Sequence, residues 1–493
     1  PMAATPHCLT VPLSSGQRAT QEWRGRGAGA LVVAVTGVRG RSRPWCRARR
    51  RAARREARPL PEDTKVYPAK ELCSRCGLCN TSHVGKVQEA CAFLGEGMGR
   101  LGAMEEAVHG RQRRLDVENE LYFGVTEALR PVRVPQGKRP LKRAWTGVIT
   151  NIACEMLQSG RVDAVLCVAS ASPERPLEPR PMLARSVEEV VAAGGVKPML
   201  SPNLRPLEEL RMGSHTDIRR LLFIGVGCQV QALRAIEKDL ALEELYVLGT
   251  NCVDNPRDSE ALARFLRSAS ETPETAVGFE FMQDNRIHVK HSDGRYETVP
   301  VFSLKEPHTC TGVIAKSCYA CFDYTNALTD LTVGYMAAPW EERRMTEHSQ
   351  YCVVRNARGR EMVDVGLKAG LIELGDAEPE GGGLSRQDLI GGVLRPELDL
   401  AFGRRTPRAG PPRWLAEFLA DVITWLGPRG LDFAKASIDR ATLRNLVCAR
   451  AQGARGRGRG EAPALPAHAK ALEARYPHLV AEMTSLYASG TVQ

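Results

Sequence analysis

At 493 residues, 43% of them hydrophobic, the chain is long enough for two or three domains around a large buried core. Its formal net charge of +11 is concentrated at one end: residues 1–60 hold thirteen arginines against only Glu22 and Glu56, so the rest of the chain is neutral. A working domain without a basic footprint excludes general polyanion or nucleic-acid binding.

Residues 1–60 combine arginine, alanine, serine, threonine and glycine with almost no acid. That is the composition of an organelle transit peptide, bounded here at 1–65, with a disordered basic tail as the alternative. The longest apolar run, Ala28 to Val38, is too short and too broken by glycine to span a bilayer, and no transmembrane segment is expected. Fifteen cysteines, clustered beside glycines and in C-x-x-C pairs, point to metal in a reducing compartment and not to disulfides.

The segment 66–100 carries Cys73-Ser-Arg-Cys76-Gly-Leu-Cys79, followed after eleven residues by Cys91. Two-residue gaps let consecutive thiolates converge on one iron–sulfur cube, and a fourth from a nearby turn completes a 4Fe–4S ligand set. Gly77 suits the tight loop around such a cluster. A zinc site, which usually pairs two C-x₂-C knuckles, and plain core cysteines are the alternatives. The run departs from the two-cluster ferredoxin pattern, because Cys91 is distant and Ala92 follows it in place of proline.

Further on, Trp145-Thr-Gly-Val-Ile-Thr150 leads into a helix around Ile152 to Leu157, with Thr150 or Asn151 as its cap. The apolar runs Ala164–Ser170, Leu221–Gly225 and Leu245–Gly249 alternate with helical stretches and predict a mostly parallel sheet covered on both faces. Phe279–Val301 reads as β, with a turn at Ser292-Asp-Gly294. Trp414 to Leu426 is an amphipathic helix whose Trp414, Phe418, Val422 and Trp425 face is expected to pack against the protein itself, not a membrane surface. Gly453 to Gly460, largely Arg and Gly in alternation, reads as a flexible loop.

Parallel strands ending in Gly225 and Gly249 would put Cys228 and Cys252 on one carboxyl edge, where α/β sheets gather ligands. Ser317-Cys318-Tyr-Ala-Cys321 brings the number of thiols to four. On spacing alone, a second 4Fe–4S cluster and buried apolar cysteines both stay open. Gly225 and Gly227 would also let backbone N–H groups approach a pyrophosphate. Val230 stands where the third Rossmann glycine belongs, so a flavin, which couples one-electron clusters to a two-electron step, is favoured over nicotinamide.

These strings together resemble a known family, the flavin and iron–sulfur proteins of the deazaflavin-reducing hydrogenase β-subunit type. The resemblance rests on Cys73–Cys79, Trp145-Thr-Gly147, Gly225-Val-Gly-Cys-Gln-Val-Gln-Ala-Leu233, Gly249-Thr-Asn-Cys-Val-Asp-Asn255, Phe279-Glu-Phe-Met-Gln-Asp284 and Ser317–Ala327. It spans 66–340 closely and 350–450 more loosely. It implies an α/β fold: a mostly parallel flavin-binding core (101–340), an N-terminal iron–sulfur insert, a loosely matched α-helical C-terminal part (341–450), and a tail at 451–493.

It also implies FAD held by Thr146, Gly147, Thr150, Ser201, Asn203, Gly225, Gly227, Gln229 and Asn251. Two 4Fe–4S clusters are implied, one on Cys73, Cys76, Cys79 and Cys91, the other on Cys228, Cys252, Cys318 and Cys321. Reduced ferredoxin as donor and a chlorophyll-type tetrapyrrole as substrate, reduced at a ring hydroxymethyl or at a vinyl group, follow from the same likeness, as does a chloroplast location. An electron-transfer subunit for a separate catalytic partner, a zinc scaffold and a homo-oligomer stay open. Cys154, Cys167, Cys310, Cys352 and Cys448 fall to packing, Tyr319 and Arg180 are proton donors by position only, and Lys65, Lys70 and Arg75 flank the first cluster as docking charges.

Overall fold

Short uncharged runs ended by glycine make the centre of the fold, and they do so in register. In the computed structural model, β4 (Arg220–Gly225) lies parallel to β5 (Glu244–Gly249), with Leu221 opposite Leu245 and Gly225 opposite Gly249. Residues 73–488 are described apart from 95, 139–144, 212, 214–216, 339–340, 342–346, 377–384, 405–408 and 455–463. The arginine-rich segment 1–65, Lys65, Lys70 and most of the Arg–Gly alternation therefore lie outside the described residues.

The main sheet runs β11-β1-β10-β9-β5-β4-β2-β3. Its other strands are β1 (Ala128–Arg133), β2 (Ala164–Ser172), β3 (Arg175–Ala184), β9 (Leu331–Gly334), β10 (Gln350–Val354) and β11 (Glu373–Leu374). The expected parallel sheet is its centre, β9-β5-β4-β2. Both flanks are antiparallel: β3 folds back on β2, and β10, β1 and β11 extend from β9. The sheet is thus mixed, its parallel character confined to the strands that carry no charge inside.

Alternation along those strands feeds two cores, which is why they read as continuous apolar runs. Leu166, Leu221, Phe223, Leu245 and Val247 face one core, with helix Gly227–Ile236. Val165, Leu222, Tyr246 and Leu248 face the other, with helices Val148–Gln158 and Ala357–Lys368. Phe223 is fully buried, and Phe223→Ala would cost roughly 3–5 kcal/mol.

Helix Val148–Gln158 starts earlier than expected. Gly147, at φ 87°, caps it in the left-handed conformation that glycine adopts at no steric cost, so Thr150 and Asn151 sit inside the helix. The predicted β segment is a separate antiparallel sheet of β6 (Ala276–Phe281), β7 (Arg286–His291) and β8 (Tyr296–Pro300), packed through Phe279, Ile287 and Val289 on helix Ser259–Ala269. Helix Arg413–Leu426 forms, but its aromatic face turns outward: Trp414, Phe418 and Trp425 are exposed, while Ala416 and Ala420 are buried. Two alanines one turn apart allow a close approach that the wide rings would prevent.

The carboxyl-terminal residues complete the first core. Helices Arg386–Phe402, Gly430–Ala454, Ala467–Glu473 and Pro477–Ala488 supply Leu394, Leu398, Leu443, Val447, Ala469, Val480 and Tyr487. Residues 464–488, expected only as a tail, are therefore built into the core. Among the described residues no helix is long and apolar enough to cross a membrane.

Candidate functional site

Because β4 and β5 end level, the segments that follow them open at the same edge. Cys228 is the second residue of helix Gly227–Ile236, and Cys252 lies three residues beyond β5. Cys318 and Cys321 come from a short turn, Lys316–Ala320, and its end. The four thiols share one neighbourhood. Burial raises Cys228 well above its ordinary range, and Cys252, Cys321 and Cys318 each add to the effect. Burial likewise pushes Cys252 up to about 12, with the Asp254 carboxylate adding to it. Cys228, Cys252 and Cys321 keep some exposed surface as residues, yet their sulfurs are ringed by protein.

The loop of Cys73, Cys76 and Cys79 is shaped by two left-handed residues, Arg75 (φ 54°) and Gly77 (φ 81°). At Gly77 an added Cβ would also stand 3.1 Å from Pro202. Cys91 follows helix Val84–Glu89, and the adjoining Ala90 carbonyl accepts from Gln231 Nε2 at 2.9 Å. Burial pushes the Cys91 thiol up to about 12, and Cys76, Cys73 and Cys79 contribute. Thus the structure gathers the first predicted set as well. Thiols crowded in this way give up their protons when a cation takes the charge. Among the described residues no three His, Cys, Asp or Glu side chains close on a point as ligands of a single metal ion do.

The two sets adjoin. Cys76 is among the thiols that act on Cys228, and the backbone N–H of Ser317 donates to Ser74 Oγ at 3.0 Å.

The predicted flavin residues fall in two groups joined by the loop 194–203. Thr146, Gly147 and Thr150 stand at the N-terminus of helix Val148–Gln158, where Thr146 Oγ1 donates to Gln350 Oε1 at 2.5 Å. The Gly194 Cβ position is 3.7 Å from Thr150 Oγ1, and Pro202 abuts Gly77. Ser201 and Asn203 are buried, and Ser201 Oγ and Asn203 Oδ1 have no partner. Asn203 Nδ2 donates to Gln229 Oε1 at 2.9 Å, as does Val226 N at 3.0 Å. Buried polar atoms left unpaired are what a bound polar group would satisfy.

The glycines behave differently. The space beside Gly227 is taken by the Asp323 carboxyl, 2.8 Å from where a Cβ would be. Asn326 Nδ2 donates to the Gly225 carbonyl at 2.8 Å, and Asn251 is packed directly on Gly334. Arg355, fully buried, fixes this loop by donating to the carbonyls of Thr325 (2.7 Å), Val125 (2.9 Å) and Phe123 (2.5 Å).

Several residues escape sequence reasoning. Arg444 and Asn445 of helix Gly430–Ala454 reach the second thiol set across 190 and 127 residues of chain, a relation no periodicity signals. Glu280 is on β6, on the face where the Gly278 Cβ position comes 3.0 Å from the Trp145 ring. Burial pushes its carboxyl up to about 7, and its charge bears on Cys252. It sits inside the quoted Phe279–Asp284 string, an acid between aromatics, which was the available signal. Of the two positional donors, Tyr319 lies beneath the Arg444 guanidinium, 5.1 Å from its ring centroid, and Arg180 is exposed on the edge strand β3.

The chain is similar in sequence to known proteins. The model "Coenzyme F420 hydrogenase/dehydrogenase, beta subunit N-term" matches residues 138–208, and the corresponding C terminus matches 218–380. The chain is 46% identical over 432 residues to 7-hydroxymethyl chlorophyll a reductase, chloroplastic, of Oryza sativa subsp. japonica, covering 87% of this chain and 88% of that protein. It is 24% identical over 209 residues to the coenzyme F420 hydrogenase subunit beta of Methanosarcina barkeri, covering 41% of this chain and 68% of that one. A solved F420-reducing [NiFe] hydrogenase complex from Methanosarcina barkeri aligns with TM-score 0.47 and 19% identity over 67% of this chain and 94% of that chain.

Proposed function

The chain belongs to the coenzyme F420 hydrogenase/dehydrogenase beta-subunit family, and from that membership we propose that it is the oxidoreductase that reduces 7-hydroxymethyl chlorophyll a to chlorophyll a. The observation that carries this reading is the likeness to the rice reductase over nearly the whole of that protein. Converting a ring hydroxymethyl to methyl takes up two electrons and two protons and releases water. Bound 4Fe–4S clusters would supply one-electron steps, and bound FAD would gather them into a pair.

The chain's residues fit those groups. Cys73, Cys76, Cys79 and Cys91 would hold the first cluster, and Cys228, Cys252, Cys318 and Cys321 the second. Thr146, Gly147 and Thr150 offer a helix N-terminus to the flavin's phosphates, and Ser201 and Asn203 offer the unpaired polar atoms. Gly227 acts at one remove, by letting Asp323 close that side of the site, and the missing side chain of Gly225 leaves its space to Phe223 and Gln229. Glu280, protonated near neutrality, is the group on this edge able to give the leaving hydroxyl its proton. Reduced ferredoxin is the donor, and the chloroplast, at the stroma or thylakoid surface, is the place.

The test offers 7-hydroxymethyl and divinyl pigments to anaerobic, cluster-loaded protein with reduced ferredoxin and follows products by chromatography. Conversion of the hydroxymethyl pigment supports the reading. Consumption of the divinyl pigment alone would move the substrate to an 8-vinyl group and leave the family unchanged.

A further inference from the structure

We propose that the buried Arg444–Asp254 ion pair sets the reduction potential of the group held by Cys228, Cys252, Cys318 and Cys321. The inference rests on the reading of those thiols as cluster ligands.

Both terminal guanidinium nitrogens are engaged: Arg444 Nη1 donates to Asp254 Oδ2 at 2.7 Å and Nη2 to Oδ1 at 2.8 Å. The pair is sheltered, the side chains being 3% and 19% exposed. Asp254 lies two residues beyond Cys252 and is held at φ 66°, a left-handed backbone few residues other than glycine adopt. Its charge bears on Cys252, Cys318 and Cys321. Arg444 also covers the ring of Tyr319, the neighbour of Cys318. The next residue, Asn445, donates to the carbonyls of Cys318 at 3.0 Å and Cys321 at 2.6 Å.

One helix therefore grips two of the three ligand-bearing segments, and it holds that of Cys252 through a neutral pair. Arg440 pairs with Glu397, which also stands 3.7 Å from Arg444 Nη1, so two arginines face two carboxylates here. Removing one member of the Arg444–Asp254 pair leaves a full charge of one sign beside the thiols, where burial weakens its screening. An unpaired carboxylate opposes the arrival of an electron. An unpaired guanidinium favours it.

The experiment is a redox titration of the cluster-loaded full chain, followed by electron paramagnetic resonance, with iron content measured in parallel. Arg444→Met should lower the midpoint potential of one cluster and Asp254→Asn should raise it. The double variant should return toward the parent value, Arg444→Lys should stay near it, and iron should be retained. Shifts of the same sign in both single variants, or none, would overturn the proposal. Loss of that cluster's iron from every variant lacking the pair, the double included, would make the pair a structural clamp and also overturn it. Absence of any iron–sulfur signal from the parent protein would instead sink the cluster assignment beneath it.

Discussion

Ser317 donates its backbone N–H to Ser74 Oγ at 3.0 Å across 243 residues of chain, tying the turn that carries Cys318 to the loop that carries Cys73 and Cys76. The contact fixes one thiol set against the other, and the proposed relay of single electrons would depend on that separation. Ser74→Ala strands a partly buried amide, at a cost of about 1–3 kcal/mol. The expected result is a lower unfolding midpoint with full iron content, and slower flavin reduction from the donor in stopped flow. Unchanged rates would show that the hydrogen bond holds the fold and not the relay.

Cys76→Ser should remove the iron of one cluster and leave FAD bound, because Thr146, Gly147, Ser201 and Asn203 stand on other segments. Iron and flavin analyses of the purified variant check this. Full iron content would refute the ligand assignment.

Cys252→Ser acts at the other set. Flavin reduction from ferredoxin should slow by orders of magnitude, while dithionite, a small reductant, still bleaches the flavin. Reduction by ferredoxin at the parent rate would mean that electrons bypass Cys252.

How much of this was legible in the sequence follows from what each feature depends on. Gly225 and Gly249 could be placed because an uncharged run ended by glycine is a local pattern, and parallel pairing then sets them level. Cys73, Cys76 and Cys79 could be grouped from their short spacings, whereas Cys228, Cys252, Cys318 and Cys321 were left open by spacing and joined as one set only through the family resemblance. Asp323 filling the space at Gly227 could not be read, because its approach depends on how the 321–330 loop is folded by Arg355. The helix Arg413–Leu426 shows the same limit: periodicity finds an apolar stripe, but neighbouring elements decide which way it turns, and here the small alanines won the inner position. Arg444 and Asn445 lay in a stretch with no motif, and only the tertiary fold brings Arg444 to Asp254 and Asn445 to the carbonyls of Cys318 and Cys321.

Glu280 gives a pH signature. Its carboxyl, pushed by burial up to about 7, is protonated below that pH and can donate; activity should fall as pH rises through 7. Because the folded-state value is raised above the unfolded one, the protonated form also favours folding, and that contribution is lost as pH climbs toward 7. Glu280→Gln should therefore lower turnover at pH 6, flatten the profile, and unfold at a higher temperature than the parent at pH 8. A variant that kept the parent's profile would remove Glu280 from the proton path.

Docking of the donor makes the last prediction. The chain beyond residue 60 is neutral overall, so an acidic ferredoxin must be met by local charge beside the first thiol set. Arg75 is exposed in that loop, held at φ 54° between Cys73 and Cys76. Lys86, also close by, is already paired with Asp239 at 2.7 Å. Arg75→Glu should raise KM for ferredoxin several-fold at low salt and leave kcat at saturation little changed, since the flavin and substrate residues are untouched. The difference from the parent should shrink as ionic strength rises, because a surface charge is screened within about 10 Å at 0.1 M salt. A KM increase that persists unchanged at high salt would mean that the substitution disturbs the cysteine loop itself, and the docking face would then lie elsewhere.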